Sequence, residues 1–225
     1  MMLHLLNNPI FNGLTLGNSH LANGNDQAKY FDAEISPLIG LKDYSQADFD
    51  ALHQLITEDR SLATITAKDI VIPKPWELIR HIVIQQMVFG GTIPIKREEF
   101  TSLQTGHVPA MLALTKLTNP GPFAKRTIEF GNYEGIFADG ELAAMAGQRT
   151  QPRPFIEVSA VCTHPNHHGK GYAGSLIKSQ IQNITALDCT PFLHVRSDNP
   201  TAIKLYEKLG FRINQPVHFN LFKKA

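Results

Sequence analysis

The stretch from Phe155 to Ile184 constrains the fold most, because it orders a strand, a glycine-rich loop and a helix. The strand is the apolar run from Phe155 to Thr163, and the loop runs from His167 to Gly174. The helix that follows carries an apolar stripe at helical spacing, with Leu176, Ile177, Ile181 and Ile184. Glycines in the loop tolerate positive φ and let the backbone approach a ligand closely. The loop amides and the first helical amides would converge, which predicts a site for an anion such as a pyrophosphate.

A second helix with clear end signals follows the next predicted strand. Asn199 suits the N-cap, Pro200 suits the first helical position, and Gly210 suits the residue just past the end. Tyr206 lies seven residues after Asn199, which is about two helical turns. The sequence therefore places an amide and a phenol on one short helix.

Together, the loop and this helix resemble the GNAT acyl-CoA-dependent N-acetyltransferases over residues from about 105 to 225. The family loop reads Arg or Gln, two residues, Gly, one residue, then Gly or Ala. Here that pattern falls on His168, Gly171 and Ala173, and His168 departs from the usual Arg or Gln. The final helix of the family has an Asn at its start, a Tyr seven residues later and a Gly-Phe pair after its end. That run falls on Asn199, Tyr206 and Gly210-Phe211.

The resemblance implies an α/β (α+β) GNAT fold, with a mixed, mostly antiparallel central sheet flanked by helices and a smaller N-terminal region. It implies an N-acetyltransferase that uses acetyl-CoA as co-substrate and transfers the acetyl group to a primary amine in a ternary complex. The acceptor would be a small molecule or a peptide. The residues implied to bind acetyl-CoA are Val161, Cys162, Thr163, His168, Gly169, Lys170, Gly171, Tyr172, Ala173, Gly174 and Asn199.

Three residues are candidates for catalysis. Tyr206 is expected to act as the acid that protonates the leaving thiolate. The alternative is that its ring only packs in the core. Glu157 lies eleven residues before His168, where histone acetyltransferases of this superfamily carry their basic Glu. Strict alternation would place Glu157 on one strand face with Val161 and Thr163. The alternative is that Glu157 faces solvent and has no catalytic role. The rival base is His194, five residues before Asn199, and it could instead be a structurally bonded histidine.

Two other functions fit parts of the pattern. The loop also spells G-x-G-x-x-G, which is typical of dinucleotide-binding folds, and Asp198 stands near the expected ribose acid. However, about six residues separate the strand from Gly169, and too little chain follows for a doubly wound sheet. A non-catalytic acyl-CoA-binding or regulatory module is the main alternative to an enzyme.

Composition limits the partners. The formal net charge of +1 produces no strong electrostatic field that would attract nucleic acid or an anionic membrane. The N-terminus lacks a signal-peptide pattern, and we expect a cytoplasmic protein, with a homodimer allowed. Cys162 and Cys189 are expected to be reduced core thiols. The histidines at 164, 167 and 168 have no Cys, Asp or Glu close by in sequence, so no metal centre is expected.

The first part of the chain is harder to interpret, and we predict a boundary between residues 1–100 and a GNAT domain at 101–225. Gly90-Gly91 and the charged run 96–99 mark that boundary, and the N-terminal region could be a degenerate GNAT-like half. Ser45 and Asp48 form a capping-box pattern. We predict a short strand at 70–72. The apolar residues at 76, 79, 83 and 87 fit a helical stripe, although 82–84 could equally be a strand. Asp139-Gly140 predicts a hairpin turn.

Overall fold

The computed structural model describes residues 2–92 and 98–225. Within these ranges the helices are α1 (Pro9–Thr15), α2 (Gln46–Leu55), α3 (Val108–Thr118), α4 (Tyr172–Thr185) and α5 (Pro200–Lys208). The strands are β1 (Asn23–Gly24), β2 (Ala28–Tyr30), β3 (Ile39–Leu41), β4 (Leu62–Thr66), β5 (Trp76–Phe89), β6 (Thr101–Ser102), β7 (Glu134–Ala138), β8 (Glu141–Gln148), β9 (Phe155–Thr163), β10 (Thr190–Arg196) and β11 (Phe211–Lys224).

The main element is an eight-stranded sheet, counted over the described ranges, in the order β4-β11-β5-β10-β9-β8-β7-β6. Neighbouring strands are antiparallel except β9 and β10, which run parallel. Helices cover the sheet on its two sides: α4 and α5 pack with one apolar cluster, and α1 and α3 pack with another. The predicted fold class, a mixed and mostly antiparallel sheet flanked by helices, is confirmed.

The first hundred residues contribute two strands to this sheet. β4 forms one edge, and β5 lies between β10 and β11. The boundary predicted near residue 100 therefore falls between two strands of the same sheet. Residues 96 and 97 of the charged run that suggested it lie outside the described residues. The small sheet β1-β2-β3 and helix α2 share a cluster with residues of β4, β5 and β11.

Residues 76–87, for which the sequence left helix and strand open, belong to the long strand β5. The register pairs β5 with β10 over residues 84–88 and with β11 along nearly its whole length. The strand predicted at 70–72 is wrong. These residues lie in the loop between β4 and β5, where Ile70 packs into a core cluster but the side chain of Val71 is 86% exposed.

Local signals at the ends of elements are confirmed. Ser45 and Asp48 form the capping box of α2, and the Asn199 Oδ1 accepts a hydrogen bond from the Ala202 amide at the start of α5. Asp139 and Gly140 have φ of 52° and 82°, as a tight hairpin turn between β7 and β8 requires. Both cysteines are free and buried. No helix in the described part of the chain is long and apolar enough to cross a membrane.

Candidate active site

The cleft of the candidate site begins where β9 and β10 diverge. Their parallel pairing joins Phe155 to Thr190 and continues to Glu157 and Phe192, where it stops. β9 continues to Thr163 and β10 to Arg196 without further pairing to each other. The side of β9 that faces β10 is therefore an open edge from residue 158 onward, and its backbone groups are available to a ligand.

A β-bulge at Ala160 rotates the end of β9. Ala160 has φ of 52°, and the register with β8 shifts between Met145 and Gly147 so that β9 holds one extra residue. Consequently Cys162 packs with Met145, whereas Val161 packs in the cluster of α4 on the other face of the sheet. The prediction that Glu157 shares one face with Val161 and Thr163 is wrong, because the extra residue reverses the alternation.

Of the three β9 residues implied to bind acetyl-CoA, two have backbone amides that face the cleft. The His164 amide donates to the Ala143 oxygen over 2.8 Å, which fixes the pairing with β8 at this end. Because alternate residues of an antiparallel ladder point toward the partner, the Cys162 amide faces β8, and those of Val161 and Thr163 face the open edge. The buried Thr163 Oγ1 has no hydrogen-bond partner among the described residues. This end of β9 therefore presents polar groups that a ligand could satisfy.

The glycine loop forms a cradle at the start of α4. Gly169 and Gly171 have φ of 79° and 80°, and a Cβ built on either would meet no atom within 4 Å. No side chain caps α4, whose N-cap is Gly171. Within the described residues, no hydrogen bond from the amides of residues 169–171 is found, and the first amides of any helix lack intrahelical acceptors. These amides and the helix dipole favour a bound anion.

The loop histidines form hydrogen bonds within the loop, although His168 is exposed. His168 Nε2 donates to the Thr163 carbonyl oxygen over 3.0 Å, and the His168 amide donates to the Pro165 oxygen over 3.2 Å. The His168 amide is therefore engaged within the loop in this structure, and the implied contact of His168 with acetyl-CoA stays a prediction. Lys170 Nζ donates to His167 Nδ1 over 2.9 Å and supplies the cation beside the loop. Lys170 and Tyr172 also line a cavity of about 460 Å³.

The two candidate bases are hydrogen-bonded to each other in a buried ion cluster. His194 Nδ1 donates to Glu157 Oε1 over 2.7 Å. Arg149 donates to both Glu157 oxygens over 2.6 and 3.0 Å, and Thr150 Oγ1 donates to Oε2 over 2.6 Å. The Glu157 side chain is 1% exposed, so the solvent-facing alternative is wrong. Burial by itself raises the pKa of Glu157, but Arg149 and His194 outweigh it and hold that pKa well below its usual range.

The other ring nitrogen of His194 is also engaged. Gln86 Nε2 lies 3.1 Å from His194 Nε2 and 3.0 Å from the Leu6 carbonyl oxygen, to which it donates. The Oε1 of Gln86 accepts hydrogen bonds from Asn214 and Gln215. His194 is thus held between a carboxylate on β9 and an amide on β5, as the structurally bonded alternative describes.

Helix α5 brings Tyr206 to β9. Tyr206 and Val161 are partly buried members of one apolar cluster, and the ring centroid of Tyr206 lies 6.1 Å from that of Phe211. Burial raises the pKa of the Tyr206 phenol to about 12, with a smaller contribution from Cys162. The phenol therefore stays protonated at neutral pH, as an acid requires. Asn199, by contrast, uses its side-chain oxygen to cap α5.

Comparison with known proteins identifies the family. The sequence profile described as FR47-like protein matches residues 133–219. A candidate acetyltransferase from the GNAT family of Novosphingobium aromaticivorans is 32% identical, with a TM-score of 0.91 over 99% of each chain. The chain belongs to the GNAT family. A GCN5-related N-acetyltransferase from Kribbella flavida shares the fold at 12% identity, with a TM-score of 0.63 over 96% of this chain and 95% of that one. A comparison with curated proteins finds no match.

Two features of this GNAT site were missed by the sequence reasoning. Arg149 and Thr150 could have been found, because β8 and β9 form a hairpin whose register brings the polar run 148–151 beside Glu157. Gln86 could not, because nothing local indicates that β5 would lie next to β10. The predicted loop residues and Tyr206 do lie on the elements that the GNAT resemblance assigned to them.

Proposed function

We propose that this GNAT protein transfers the acetyl group of acetyl-CoA to a primary amine by direct attack in a ternary complex. One observation carries the proposal: the amides of residues 169–171, for which no acceptor is found in the described part of the chain, follow the open edge of β9 in the chain and precede α4. An anion cradle followed by a free strand edge suits a ligand with a pyrophosphate at one end and an extended amide-bearing arm.

The residues present fit acetyl-CoA. The amides of Gly169, Gly171 and the first turn of α4 would hold the pyrophosphate, with Lys170 as the nearby cation. The backbone of Val161 and Thr163 would pair with the pantetheine arm, and Thr163 Oγ1 offers a buried hydroxyl that has no partner among the described residues. When bound, acetyl-CoA supplies an activated thioester.

The chain then has two tasks in the reaction. The amide of Val161 or Thr163 stabilises the negative charge that develops on the thioester oxygen, because a fixed N–H in a dry site needs no reorganisation. As the amine nitrogen bonds to the carbonyl carbon, the carbon–sulfur bond breaks, the nitrogen releases its second proton to solvent, and Tyr206 gives its proton to sulfur. Solvent returns that proton to the phenol, and the products are an amide and CoA. The proton of the ammonium leaves through the Glu157–His194 pair or through solvent.

A non-catalytic acyl-CoA-binding module is the second candidate, and one observation favours it. Both candidate bases, Glu157 and His194, are hydrogen-bonded within the buried cluster that includes Arg149. A carboxylate with a lowered pKa is a weak proton acceptor at neutral pH. The two functions differ in turnover, since both predict binding of acetyl-CoA.

The deciding experiment is calorimetry with acetyl-CoA, followed by assay of free CoA thiol with a panel of amines and amino-terminal peptides. Binding together with amine-dependent thiol release supports the transferase. Binding without release for any amine in the panel supports the module, and no binding contradicts both.

Tyr206→Phe should lower kcat by about 10- to 100-fold while the affinity for acetyl-CoA changes little, because removing one hydroxyl hardly alters packing. Steady-state kinetics and calorimetry separate the two effects. Tyr133→Phe is the matched control, since that phenol is also buried and its pKa is also raised. Full turnover in the Tyr206 variant would show that the ring only packs in the core.

Glu157→Gln and His194→Gln should each lower kcat/KM by about 100-fold if the pair accepts the ammonium proton. Because the two side chains share a 2.7 Å hydrogen bond, the double variant should cost no more than the worse single variant. Exposed His20→Gln serves as control. Unchanged rates in variants that remain folded would show that solvent deprotonates the amine.

A further inference from the structure

A second group of potential ligands lies outside the candidate active site. Asp69 is in the loop between β4 and β5, His81 is on β5 and His218 is on β11. His81 Nε2 and His218 Nδ1 are 3.0 Å apart, and His218 Nδ1 is 3.5 Å from Asp69 Oδ1. All three ligand atoms lie within 4.8 Å of one another.

The sheet register holds the two histidines together. Val83 pairs with His218 and His81 pairs with Asn220, so the histidines are diagonal neighbours on one face of the β5–β11 ladder. The planes of the two imidazole rings are nearly parallel, with an angle of 7° between them. Asp69 lies between two anchored positions, because the Lys68 amide donates to Thr66 Oγ1 and Ile70 is buried in the core. Backbone structure, rather than chance contact of long side chains, thus gathers the three groups.

We propose that Asp69, His81 and His218 bind a divalent transition-metal ion of the Zn²⁺ type. Two imidazoles and one carboxylate suit such ions, which bind nitrogen at about 2.0–2.1 Å and oxygen at about 2.0–2.2 Å. With those bond lengths, the 3.0 and 3.5 Å separations correspond to angles of about 95° and about 115° at the ion, on either side of the tetrahedral value. The Asp69 side chain is 74% exposed and can rotate toward the nitrogens, and water can occupy the fourth position.

The loop histidines are a poorer alternative. His164 Nδ1 accepts from the Asn166 amide, His167 Nδ1 from Lys170, and His168 Nε2 donates to Thr163. Among the described residues no carboxylate completes a group of three there, whereas Asp69 does so beside His81 and His218. A bound ion at Asp69, His81 and His218 would connect β5, β11 and the loop after β4, and would act on stability rather than on the acetyl-transfer chemistry.

The test is calorimetric titration of the metal-free full chain with ZnCl₂. We expect about one equivalent to bind, with affinity at least tenfold weaker in His81→Ala and in His218→Ala, and a smaller loss in Asp69→Asn. His20→Ala, an exposed histidine elsewhere, is the control and should bind as the wild type does. The Co²⁺ complex of the wild type should show the intense visible bands of a tetrahedral site with nitrogen ligands.

Two outcomes would overturn the proposal. One is a wild-type chain that takes up no Zn²⁺ at stoichiometric concentration. The other is undiminished uptake by a folded His81→Ala, His218→Ala double variant, which would place the ion at other histidines. The cobalt spectrum needs no substitution, so a variant that failed to fold would not leave the question open.

Discussion

Arg149→Met should lower the free energy of unfolding by about 3–5 kcal/mol, the usual cost of leaving a buried charge without its partner. Glu157 is 1% exposed, and Arg149 is its bidentate partner at 2.6 and 3.0 Å. Denaturant unfolding of the wild type and the variant measures the change. Arg196→Met is the matched control, because Arg196 pairs with Asp198 at an exposed site and such pairs contribute at most about 1 kcal/mol.

The same cluster makes stability depend on pH in a defined direction. The folded pKa of Glu157 lies below that of an unfolded Glu, about 4.3, so the stabilisation is fully present above that pH. It is lost as pH falls from about 4.3 toward the folded value. Arg149→Met should weaken this dependence between pH 5 and the acid limit of folding. Equal stability of the two proteins at neutral pH would show that water or His194 compensates Glu157.

Gly171→Glu should weaken acetyl-CoA binding by about 100-fold or more, since it removes both the open space and the favourable sign of charge at the loop. A Cβ at Gly171 points into free volume, so the fold has room for the side chain. The strain of φ near 80° remains as a stability cost of about 1–2 kcal/mol. Calorimetry with acetyl-CoA measures the binding loss.

Gly140→Glu controls for that strain. Gly140 has φ of 82°, an equally open surrounding and a place in the turn between β7 and β8. It should show the same loss of stability and unchanged affinity for acetyl-CoA. Unchanged affinity in Gly171→Glu would contradict the assignment of the loop, whereas equal losses in the two variants would show that destabilisation, not the site, is responsible.

Much of the site could be predicted because its signals are local. The turn at Asp139-Gly140, the cap at Asn199 and the glycine loop before α4 each depend on a few neighbouring residues, and each occurs where the sequence indicates. Local chemistry at these positions decides the backbone path without help from distant parts of the chain.

The rest depends on contacts between distant segments. The bulge at Ala160 arises from pairing with β8, and no glycine at this position indicates it in the sequence. Strict alternation therefore gave the wrong face for Val161. The state of Glu157 depends on Arg149 and His194, which approach only when β8 and β10 flank β9. Likewise 76–87 is equally compatible with helix and strand until β10 and β11 provide hydrogen-bond partners on both sides.

The position of β5 in the sheet also determines when this strand can pair during synthesis of the chain. Its two neighbours, β10 and β11, are separated from it by more than a hundred residues of sequence, and they do not pair with each other. During synthesis β5 has neither of these partners until residues 190–196 have emerged, and its second edge is paired only after residues 211–224 have followed. A fragment beginning at residue 101 would instead leave a gap between β10 and β11. The early segment of the chain therefore completes its place in the sheet only after β11 has been made.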